Sequence, residues 1–369
     1  MDYEILRYRP EFLPEIAALQ RHLWGHSDTV NTAYFEWKHV HNPFVSEPLV
    51  YVARHAGRLV AMRAFWGMLW EVGESGEQVL IPSAADTVIV PEHRDRGLFA
   101  RLTAAALADL ARAGHAYVIN LSASPATIVS CLASGWRSAG RLQVFVRRSA
   151  PRRFIRELRG VFRQHVPRLD RRLVDAPQSH RQVLDPFRAF DAAAGAHKDV
   201  ELATQPRPDA MAAVAGYGPA DRLRPVRNAQ ILAWRLSNPV ARYRFVFHGG
   251  AQPDGHLVLH ASRSGETVCI VDWRAANEAV QAKLLRAAIE AGRFARLSIW
   301  AATLSEQTRA MLHDHRFAIE VPSGVREGDD VLLVRATRDG TSHDEWKIAG
   351  LSLASLTSWR IDMIDSDAH

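Results

Sequence analysis

The segment from Val88 to Leu102 constrains the fold of this chain more than any other stretch. It begins with a run of β-branched residues, passes through a polar turn, and continues into an alanine-rich helix pattern that extends to about Ala113. Gly114 then follows as a typical helix terminator. A strand that leads through a short turn into a helix is the building unit of α/β proteins, so the sequence predicts a mixed α/β fold.

The elements on both sides of this segment extend the pattern. In chain order we predict a strand, a helix, several antiparallel strands, a helix, a strand, a short helix and a strand. The strands are placed at residues 3–8, 49–54, 59–70, 78–90, 117–121 and 142–147, and the helices begin near Pro10, Leu98 and Ser124. This order predicts a mostly antiparallel, twisted sheet that is flanked by helices.

The second half of the chain repeats this order. Strand patterns at 243–247, 256–262 and 267–273 precede an amphipathic helix pattern, and a strand, a helix and a strand follow. The segment 234–239 also resembles the segment 37–43, because each has a Trp and an Asn-Pro pair at nearly the same spacing. An internal duplication explains both observations. We therefore expect two domains of the same architecture.

These patterns divide the chain into four regions. Residues 1–150 form the N-terminal domain, 151–200 a basic helical connector, and 201–340 the second domain. Residues 341–369 form a tail, and its many apolar residues predict that it docks on the body of the protein.

The composition excludes several classes of protein. Hydrophobic residues make up 47% of the chain and charged residues 23%, which is typical of a globular protein. No stretch has the uninterrupted apolar length of a membrane span, and the N-terminus does not read as a signal peptide. The two cysteines are too few for a disulfide framework or a zinc site. We expect a cytoplasmic protein without a bound metal, and the sequence leaves oligomerisation open.

The positive charge of the chain is concentrated in one region. The formal net charge is +6, and arginines crowd between Arg147 and Arg172, where apolar residues recur at helical spacing. The segment is interpreted either as a connector helix that packs its apolar stripe on a neighbouring domain or as a seat for phosphate groups. No zinc-finger spacing and no aromatic RNA-binding signature accompany it, which argues against a nucleic-acid partner.

The turn within the segment Val88 to Leu102 is suited to bind a diphosphate. The first turn of a helix leaves backbone N–H groups unpaired, and the helix dipole makes that end positive. Gly97 has no side chain to shield these groups, and Arg94 and Arg96 add positive charge. An ordinary strand-to-helix turn is the alternative interpretation.

The order Val-Ile-Val-Pro-Glu-x-Arg-x-x-Gly, followed by a helix, resembles the acyl-CoA pyrophosphate loop of the GNAT N-acyltransferases. The loop pattern of that family is Arg/Gln-x-x-Gly-x-Gly/Ala, which Arg94 and Gly97 match, whereas Phe99 stands where the family usually has Gly or Ala. The element order extends the resemblance over roughly residues 3–148. It implies that acetyl-CoA, or another acyl-CoA, is the cosubstrate and that the acyl group passes to an amine.

The resemblance also implies a set of cofactor-binding residues in the strand before the loop, in the loop and first helical turn, and after the next strand. These residues are Val88, Ile89, Val90, Arg94, Asp95, Arg96, Gly97, Leu98, Phe99, Ala100, Asn120, Ser122 and Ser124. For Asn120, Ser122 and Ser124, capping of the following helix is an equally good interpretation.

Two carboxylates are candidates for the general base that takes a proton from the amine. Asp86 lies inside an apolar strand, where a carboxylate is costly unless it has a partner or a chemical role. Glu92 lies in the turn and is the second candidate. We favour Asp86, acting directly or through a water chain.

The position that usually supplies the general acid differs from the family pattern in this sequence. Many members protonate the leaving thiolate with a Tyr four residues before a Gly-aromatic pair. Here that pair is Gly135-Trp136, and Cys131 occupies the Tyr position. Tyr117 or water is then an alternative proton donor, and Cys131 is alternatively a small core residue.

The second half resembles a GNAT domain that has lost its CoA site, because the matching segment 273–278 lacks the Arg-x-x-Gly spacing and carries Glu278. We expect one CoA site and a small-molecule amine acceptor, with an amino sugar or its nucleotide-linked form first. An amino acid, a peptide or an aminoglycoside-like amine is the alternative acceptor. A catalytically silent acyl-CoA-binding or scaffold protein is the alternative of a different class.

Overall fold

The computed structural model describes residues 2–149, 185–197, 199–215, 221–262, 265–320 and 331–367. Most of the arginine-rich segment, and with it the predicted basic connector helix, lies outside these residues. Within the described part of the chain, no helix has the length and apolar character needed to cross a membrane.

The described residues form helices and strands in alternation. The helices are α1 (Leu13–Trp24), α2 (Asp28–Phe35), α3 (Leu98–Arg112), α4 (Pro125–Ala133), α5 (Arg188–Ala192), α6 (Pro208–Ala215), α7 (Ala229–Leu236), α8 (Glu278–Gly292) and α9 (Glu306–Asp314). The first nine strands are β1 (Glu4–Arg7), β2 (Leu49–His55), β3 (Arg58–Trp66), β4 (Leu69–Val72), β5 (Glu77–Leu80), β6 (Ser83–Ile89), β7 (Tyr117–Asn120), β8 (Arg137–Arg141) and β9 (Val144–Arg148). The others are β10 (Gly195–His197), β11 (Val200–Ala203), β12 (Leu223–Pro225), β13 (Tyr243–His248), β14 (Gly255–Ala261), β15 (Val268–Ala275), β16 (Arg296–Trp300), β17 (Ala318–Ile319), β18 (Val331–Ala336), β19 (Lys347–Ile348) and β20 (Leu351–Ser352).

The first sheet has seven strands in the order β1-β2-β3-β6-β7-β18-β8. Its strands are antiparallel except for the pair β6 and β7. Helices α1 and α2 cover one face, where Ile16 and Phe35 pack on β2 and β3. Helices α3 and α4 cover the other face, where Leu102 and Cys131 belong to a second core cluster. The predicted antiparallel-rich sheet flanked by helices is therefore confirmed.

The second sheet repeats this arrangement. Its order is β10-β11-β13-β14-β15-β16-β9-β17, and β15 and β16 form its parallel pair. Helix α8 connects these two strands, as α3 connects β6 and β7. The molecule thus contains two similar α/β units.

Each sheet includes one strand that comes from the other half of the chain. Strand β9 pairs with β16 in the second sheet, with Val146 opposite Ser298. Strand β18 lies between β7 and β8 in the first sheet, with Leu333 opposite Asn120. The boundaries drawn at 150, 201 and 340 therefore do not follow the sheets, because each of these strands completes the sheet of the opposite half.

The two halves share a large apolar core. Ala85 and Leu121 of the first half and Phe245 and Val271 of the second belong to one cluster of buried side chains. The same cluster includes the tail residues Trp346, Trp359, Ile361, Met363 and Ile364, together with Trp70 of β4 and Ile81. Burial of this much apolar surface between the two units makes them one packed body.

The predicted strands 59–70 and 78–90 are each divided in the structure. Residues 69–72 and 77–80 form a separate hairpin, β4 and β5, which pairs with β12 of the second half. The break after β3 includes Gly67, where an added Cβ would approach Val45 Cγ1 to 2.8 Å. The chain leaves the first sheet at a point of close packing that the apolar pattern does not reveal.

Candidate active site

The loop between β6 and α3 has the backbone geometry of an anion-binding site at a helix N-terminus. After β6 the chain makes a 3₁₀ turn at Pro91–His93, and Asp95 and Gly97 then adopt positive φ values of 57° and 71°. Gly97 is the N-cap of α3, and no side chain caps this end of the helix. The first N–H groups of α3 are therefore available to a ligand.

Other helices in the molecule close this end with their own side chains. Serine or asparagine side chains accept a hydrogen bond from the first turn in α2, α4, α7, α8 and α9, namely Ser27, Ser124, Asn228, Asn277 and Ser305. Helix α3 has no side-chain cap, as is also the case for α1 and α5, but in α3 the cap position is a glycine. The first turn of α3 is therefore not shielded by a capping side chain.

The predicted loop residues surround this site. Arg94, Asp95, Arg96, Gly97 and Ala100 are exposed around it. The Arg94 Nε group donates a hydrogen bond to the Ile89 carbonyl at 3.1 Å, which fixes this side chain along the loop. Leu98 is buried and anchors the helix start. Glu92 is exposed in the 3₁₀ turn, away from any ion pair that the described residues show.

Strands β6 and β7 separate beyond one paired position. The two strands run in parallel and pair at Ser83 and Ile119, near the start of β6. No further pairing between these two strands is found in the described residues, so they diverge toward Val88 and Val90 on one side and the residues after Asn120 on the other. The diverging ends lie at the same end of the strands as the start of α3.

The polar residues after β7 have partners of their own. The Asn120 Oδ1 atom accepts a hydrogen bond from the Ser122 backbone N–H at 3.0 Å, and Ser124 Oγ caps α4 by accepting from Thr127 N at 3.2 Å. Ser124 therefore has the capping role that the sequence left open. Ser122 is partly exposed.

Asp86 lies at a bulge in β6. Thr87 pairs with Arg63 and Ala85 with Ala64, so Asp86 is the extra residue, and its φ is 28°. Positive φ at a residue with a side chain is strained, and bulges recur beside active sites. This distorted part of the sheet lies three residues after Ser83, the position at which β6 pairs with β7.

The Asp86 carboxylate is held in a buried network of charged groups. Its oxygens accept hydrogen bonds from Lys38 Nζ at 3.0 Å and from His39 Nε2 at 2.9 Å. Lys38 Nζ also lies 2.6 Å from Asp367 Oδ2 in the tail. The side chains of Lys38, His39 and Asp86 are fully buried. Lys38 and His39 belong to a π-helical turn at Glu36–Val40, a distortion that is frequent at functional sites.

The charges in this network fix the protonation states of its members. Burial opposes ionisation of the Asp86 carboxyl, but the charge of Lys38 and the hydrogen bond from His39 outweigh it and hold its pKa well below the usual range. Burial lowers the pKa of His39 despite the nearby carboxylate. Asp86 is therefore held ionised, with one hydrogen bond to each of its oxygens, and its predicted role as the general base stays a prediction. His39 is neutral, and its Nδ1 atom has no hydrogen-bond partner among the described residues.

The other sequence candidates lie elsewhere. The Tyr117 hydroxyl donates to the Glu345 carbonyl oxygen at 3.2 Å, at the end of β7 opposite to the loop. His93 contacts the Tyr3 hydroxyl through Nδ1 at 2.9 Å. Cys131 is buried in α4. Its thiol lies near the buried guanidinium of Arg63, a residue that the sequence analysis missed.

The two Trp segments form a reciprocal contact between the halves. The Trp37 Nε1 group donates to the Trp234 carbonyl at 2.8 Å, and Trp234 Nε1 donates to the Trp37 carbonyl at 2.9 Å. Their rings stack with centroids 5.4 Å apart. Because each indole N–H is used in this pairing, the segments hold the halves together as structural corners.

The corresponding helix start in the second half, at α8, is closed by a side-chain cap. The Asn277 Oδ1 atom accepts from Val280 N at 3.0 Å and caps α8, and Glu278 places a negative charge in the first turn of that helix. A phosphate group would compete with both. The second unit therefore lacks the open helix start of the first.

Comparison with known proteins finds a family for the first unit. The acetyltransferase (GNAT) domain model matches residues 4–130. These residues are therefore similar to a GNAT acetyltransferase domain. The matched region contains β1 to β7, the loop before α3, and most of the buried network around Asp86.

Solved structures share a fold that extends over both halves of the chain. A probable N-acyltransferase from Enterococcus faecalis V583 matches with a TM-score of 0.61 and 12% identity, over 91% of this chain and 73% of that one. A GCN5-related N-acetyltransferase from Anabaena variabilis matches with a TM-score of 0.56 and 14% identity over the same shares of the two chains. Eis1 from Mycobacterium abscessus matches with a TM-score of 0.52 and 16% identity, again over 91% and 73%. No curated protein matches the sequence significantly.

Proposed function

We propose that this GNAT acetyltransferase takes its acyl group from acetyl-CoA, bound in the GNAT domain alone, and transfers it to the primary amine of a small molecule. The observation that carries the proposal is the open start of α3, where Gly97 leaves the helix uncapped at the end of a separated strand pair. The side-chain cap at the start of α8 supports a single donor site.

The donor is assigned to the space between the diverging strands β6 and β7. Its diphosphate accepts hydrogen bonds from the first N–H groups of α3, beside the positive charges of Arg94 and Arg96. Its pantetheine extends along Val88 and Val90 toward the bulge at Asp86. In this mode the thioester carbonyl lies beside the distorted part of β6, next to the buried network.

The general base in this proposal is His39, and Asp86 orients it. The His39 Nε2–H group donates to Asp86 Oδ2, which leaves the lone pair on Nδ1 to accept the proton of the attacking amine. Lys38 keeps Asp86 ionised and thereby keeps His39 in this tautomer. The amine nitrogen attacks the thioester carbonyl carbon, and His39 takes its proton.

The acceptor is assigned to the class of amino sugars, free or linked to a nucleotide. The arginine-rich sequence between Arg147 and Arg172 supports an acceptor that carries phosphate. The acceptor test is a panel of glucosamine, UDP-linked glucosamine, lysine and kanamycin with acetyl-CoA, in which release of CoA is measured.

Isothermal titration with acetyl-CoA tests the donor assignment. We expect binding of one equivalent, and desulfo-CoA is expected to bind as well because the diphosphate supplies much of the contact. Two equivalents would show that the second half retains a site. Absence of binding to both ligands would remove the proposed function.

Replacement of His39 tests the base. His39→Gln is expected to lower kcat by about 10²–10⁴-fold, the usual contribution of a general base. The neutral imidazole is the active form and burial lowers its pKa, so the wild-type rate should fall only below the pH at which an ordinary histidine titrates. This acid limb should be absent from His39→Gln.

The second half supplies a matched control for this experiment. His256 Nε2 contacts Asp272 Oδ2 at 2.9 Å, and both side chains are buried, as in the first half. His256→Gln removes a similar His–Asp pair at the closed site and should leave the pH profile unchanged. Equal losses in the two variants would show that both pairs are structural.

A further inference from the structure

A cleft that is lined by arginines lies at the end of α4. It has a volume of about 580 Å³ and is bounded by the end of α4, the start of β8 and the turn after β18. Arg137, Arg335 and Arg338 line it, and none of the described residues that line it is acidic. Arg137 and Arg338 are exposed, so the cleft is open to solvent. Three positive charges are thus collected at a place that the proposed function does not use.

The cleft is remote from the start of α3. In the first sheet, Arg335 pairs with Val118, which is next to the residue of β7 that pairs with Ser83 of β6. Strand β6 then continues from Ser83 to Ile89 before the loop that leads to α3. At about 3.3 Å per residue, this part of the strand spans roughly 20 Å. A ligand in the cleft is therefore separate from the diphosphate of the donor.

The guanidinium of Arg335 is only weakly neutralised. Its Nη1 group donates to the Gly135 carbonyl at 3.1 Å, and its Nη2 group donates to Asp339 Oδ1 at 2.5 Å. Its Nε group is buried and has no hydrogen-bond partner among the described residues. The Asp339 side chain is 91% exposed, and such exposed ion pairs contribute little. The Asp339 carboxylate therefore competes weakly with an anion in the cleft.

Gly135 gives the guanidinium its place on the backbone at the end of α4. It has a φ of 82°, and a Cβ added at this position would approach Arg335 Nη1 to 2.4 Å. In the second half, Arg316 has a similar φ of 65° and precedes Phe317 after α9, as Gly135 precedes Trp136 after α4. The second unit thus carries a side chain at the position that is bare in the first. The space beside Arg335 is therefore not a requirement of the fold.

The turn after β18 adds neutral groups to the rim. Thr341 and Ser342 line the cleft with their hydroxyl groups, and Gly340 leaves its backbone uncovered, since no neighbouring atom lies within 4 Å of a Cβ added there. The Ser342 N–H group donates to Glu345 Oε2 at 3.3 Å, so Glu345 is a second carboxylate near the cleft. It is exposed, as Asp339 is, and does not line the cleft.

We propose that this cleft is a second anion site, which binds the phosphate group of a phosphate monoester. Such a group carries close to two negative charges at neutral pH and offers three acceptor oxygens, whereas a carboxylate offers one charge and two oxygens. Guanidinium groups match phosphate oxygens in geometry as well as in charge. Three arginines and two hydroxyl groups therefore suit a phosphate better than a carboxylate. The inference does not depend on binding of acetyl-CoA.

The phosphate can belong to a free ester or to a lipid headgroup. Helix α4 exposes two large apolar side chains near the cleft, Val129 at 68% and Leu132 at 45%. Leu132 itself lines the cleft. An acyl chain of a lipid would find an apolar surface here, whereas a small ester would use the arginines and hydroxyl groups alone. The two sources share the same phosphate chemistry and are separated by experiment.

Titration with phosphate tests the site in a protein whose donor site is blocked. The Gly97→Glu variant is titrated calorimetrically with inorganic phosphate and with glycerol 3-phosphate in a phosphate-free buffer, and we expect binding of one equivalent. Arg137→Gln and Arg338→Gln, added together, should weaken this binding by at least about tenfold, because each removes a charge-assisted hydrogen bond. Arg335 is left intact because it also holds the end of α4.

Arg286→Gln provides the matched control. Arg286 is an exposed arginine of α8 in the second half, so its loss changes the net charge without touching the cleft. The affinity for both probes should stay as in the parent variant. An affinity that is equal in the double variant and in this control would overturn the proposal.

Vesicles separate the two sources of phosphate. The same proteins are sedimented with vesicles of phosphatidylcholine and phosphatidic acid in equal parts, and with vesicles of phosphatidylcholine alone. Sedimentation that needs phosphatidic acid and is lost in the double variant assigns a lipid headgroup, whereas binding of glycerol 3-phosphate without sedimentation assigns a free ester. Absence of binding to both probes and to the vesicles would overturn the proposal. Loss of acetyl-CoA binding in wild type would remove the proposed function and leave this inference standing.

Discussion

Replacement of Gly97 by glutamate is expected to lower the affinity for acetyl-CoA by at least about a hundredfold while the chain stays folded. The new carboxylate would stand at the start of α3, where the diphosphate is placed, and like charges brought together in a binding site cost several kcal/mol. No neighbouring atom lies within 4 Å of a Cβ at this position, so the side chain itself causes no clash. Calorimetric titration with acetyl-CoA gives the affinity.

The opposite end of the same helix provides the control. Gly114 has a φ of 89°, close to the 71° of Gly97, and also has open space around its Cβ position. Gly114→Glu therefore introduces the same charge and similar backbone strain away from the loop. We expect it to bind acetyl-CoA as wild type does. A normal affinity in Gly97→Glu would remove the central claim about the donor site.

Replacement of Lys38 by methionine is expected to destabilise the protein by about 3–5 kcal/mol, because it leaves two carboxylates buried without their cation. Lys38 Nζ lies 3.0 Å from Asp86 and 2.6 Å from Asp367, and the lysine side chain is completely buried. The loss should appear as a lower free energy of unfolding in urea.

Lys283 provides a control for Lys38, because it forms an ion pair that is exposed and not buried. Its Nζ atom lies 2.9 Å from Asp199, but its side chain is 49% exposed and that of Asp199 is 65% exposed. Exposed pairs contribute at most about 1 kcal/mol, so Lys283→Met should change stability little. Similar losses in the two variants would mean that the Lys38 network does not behave as a buried ion pair.

The strand, turn and helix around Gly97 could be predicted from the sequence because their signals are local. The apolar run before Pro91, the glycine at 97 and the helical periodicity after Leu98 each depend on neighbouring residues. The structure places α3 at Leu98–Arg112, and Gly97 has the left-handed conformation that glycine favours.

The centre of the site could be predicted only in part. A carboxylate inside an apolar strand drew attention to Asp86, but its partners Lys38 and His39 lie more than forty positions earlier and Asp367 lies in the tail. Their meeting depends on tertiary packing. Arg63 carries the same signal as Asp86, a charge within an apolar strand, and the cost argument would have found it.

Because β9 and β18 each pair in the sheet of the opposite half, the protein cannot be divided into two complete fragments at the middle of the chain. Without residues 331–336 the first sheet would have a gap between β7 and β8, and without 144–148 the second sheet would lose its link between β16 and β17. A fragment cut near residue 150 thus carries a strand that belongs to its absent counterpart and lacks one that it needs. Such fragments should recover structure only when mixed. The unit without a donor seat is therefore a folding partner of the unit that has one, and its deletion would remove activity without touching a single catalytic side chain.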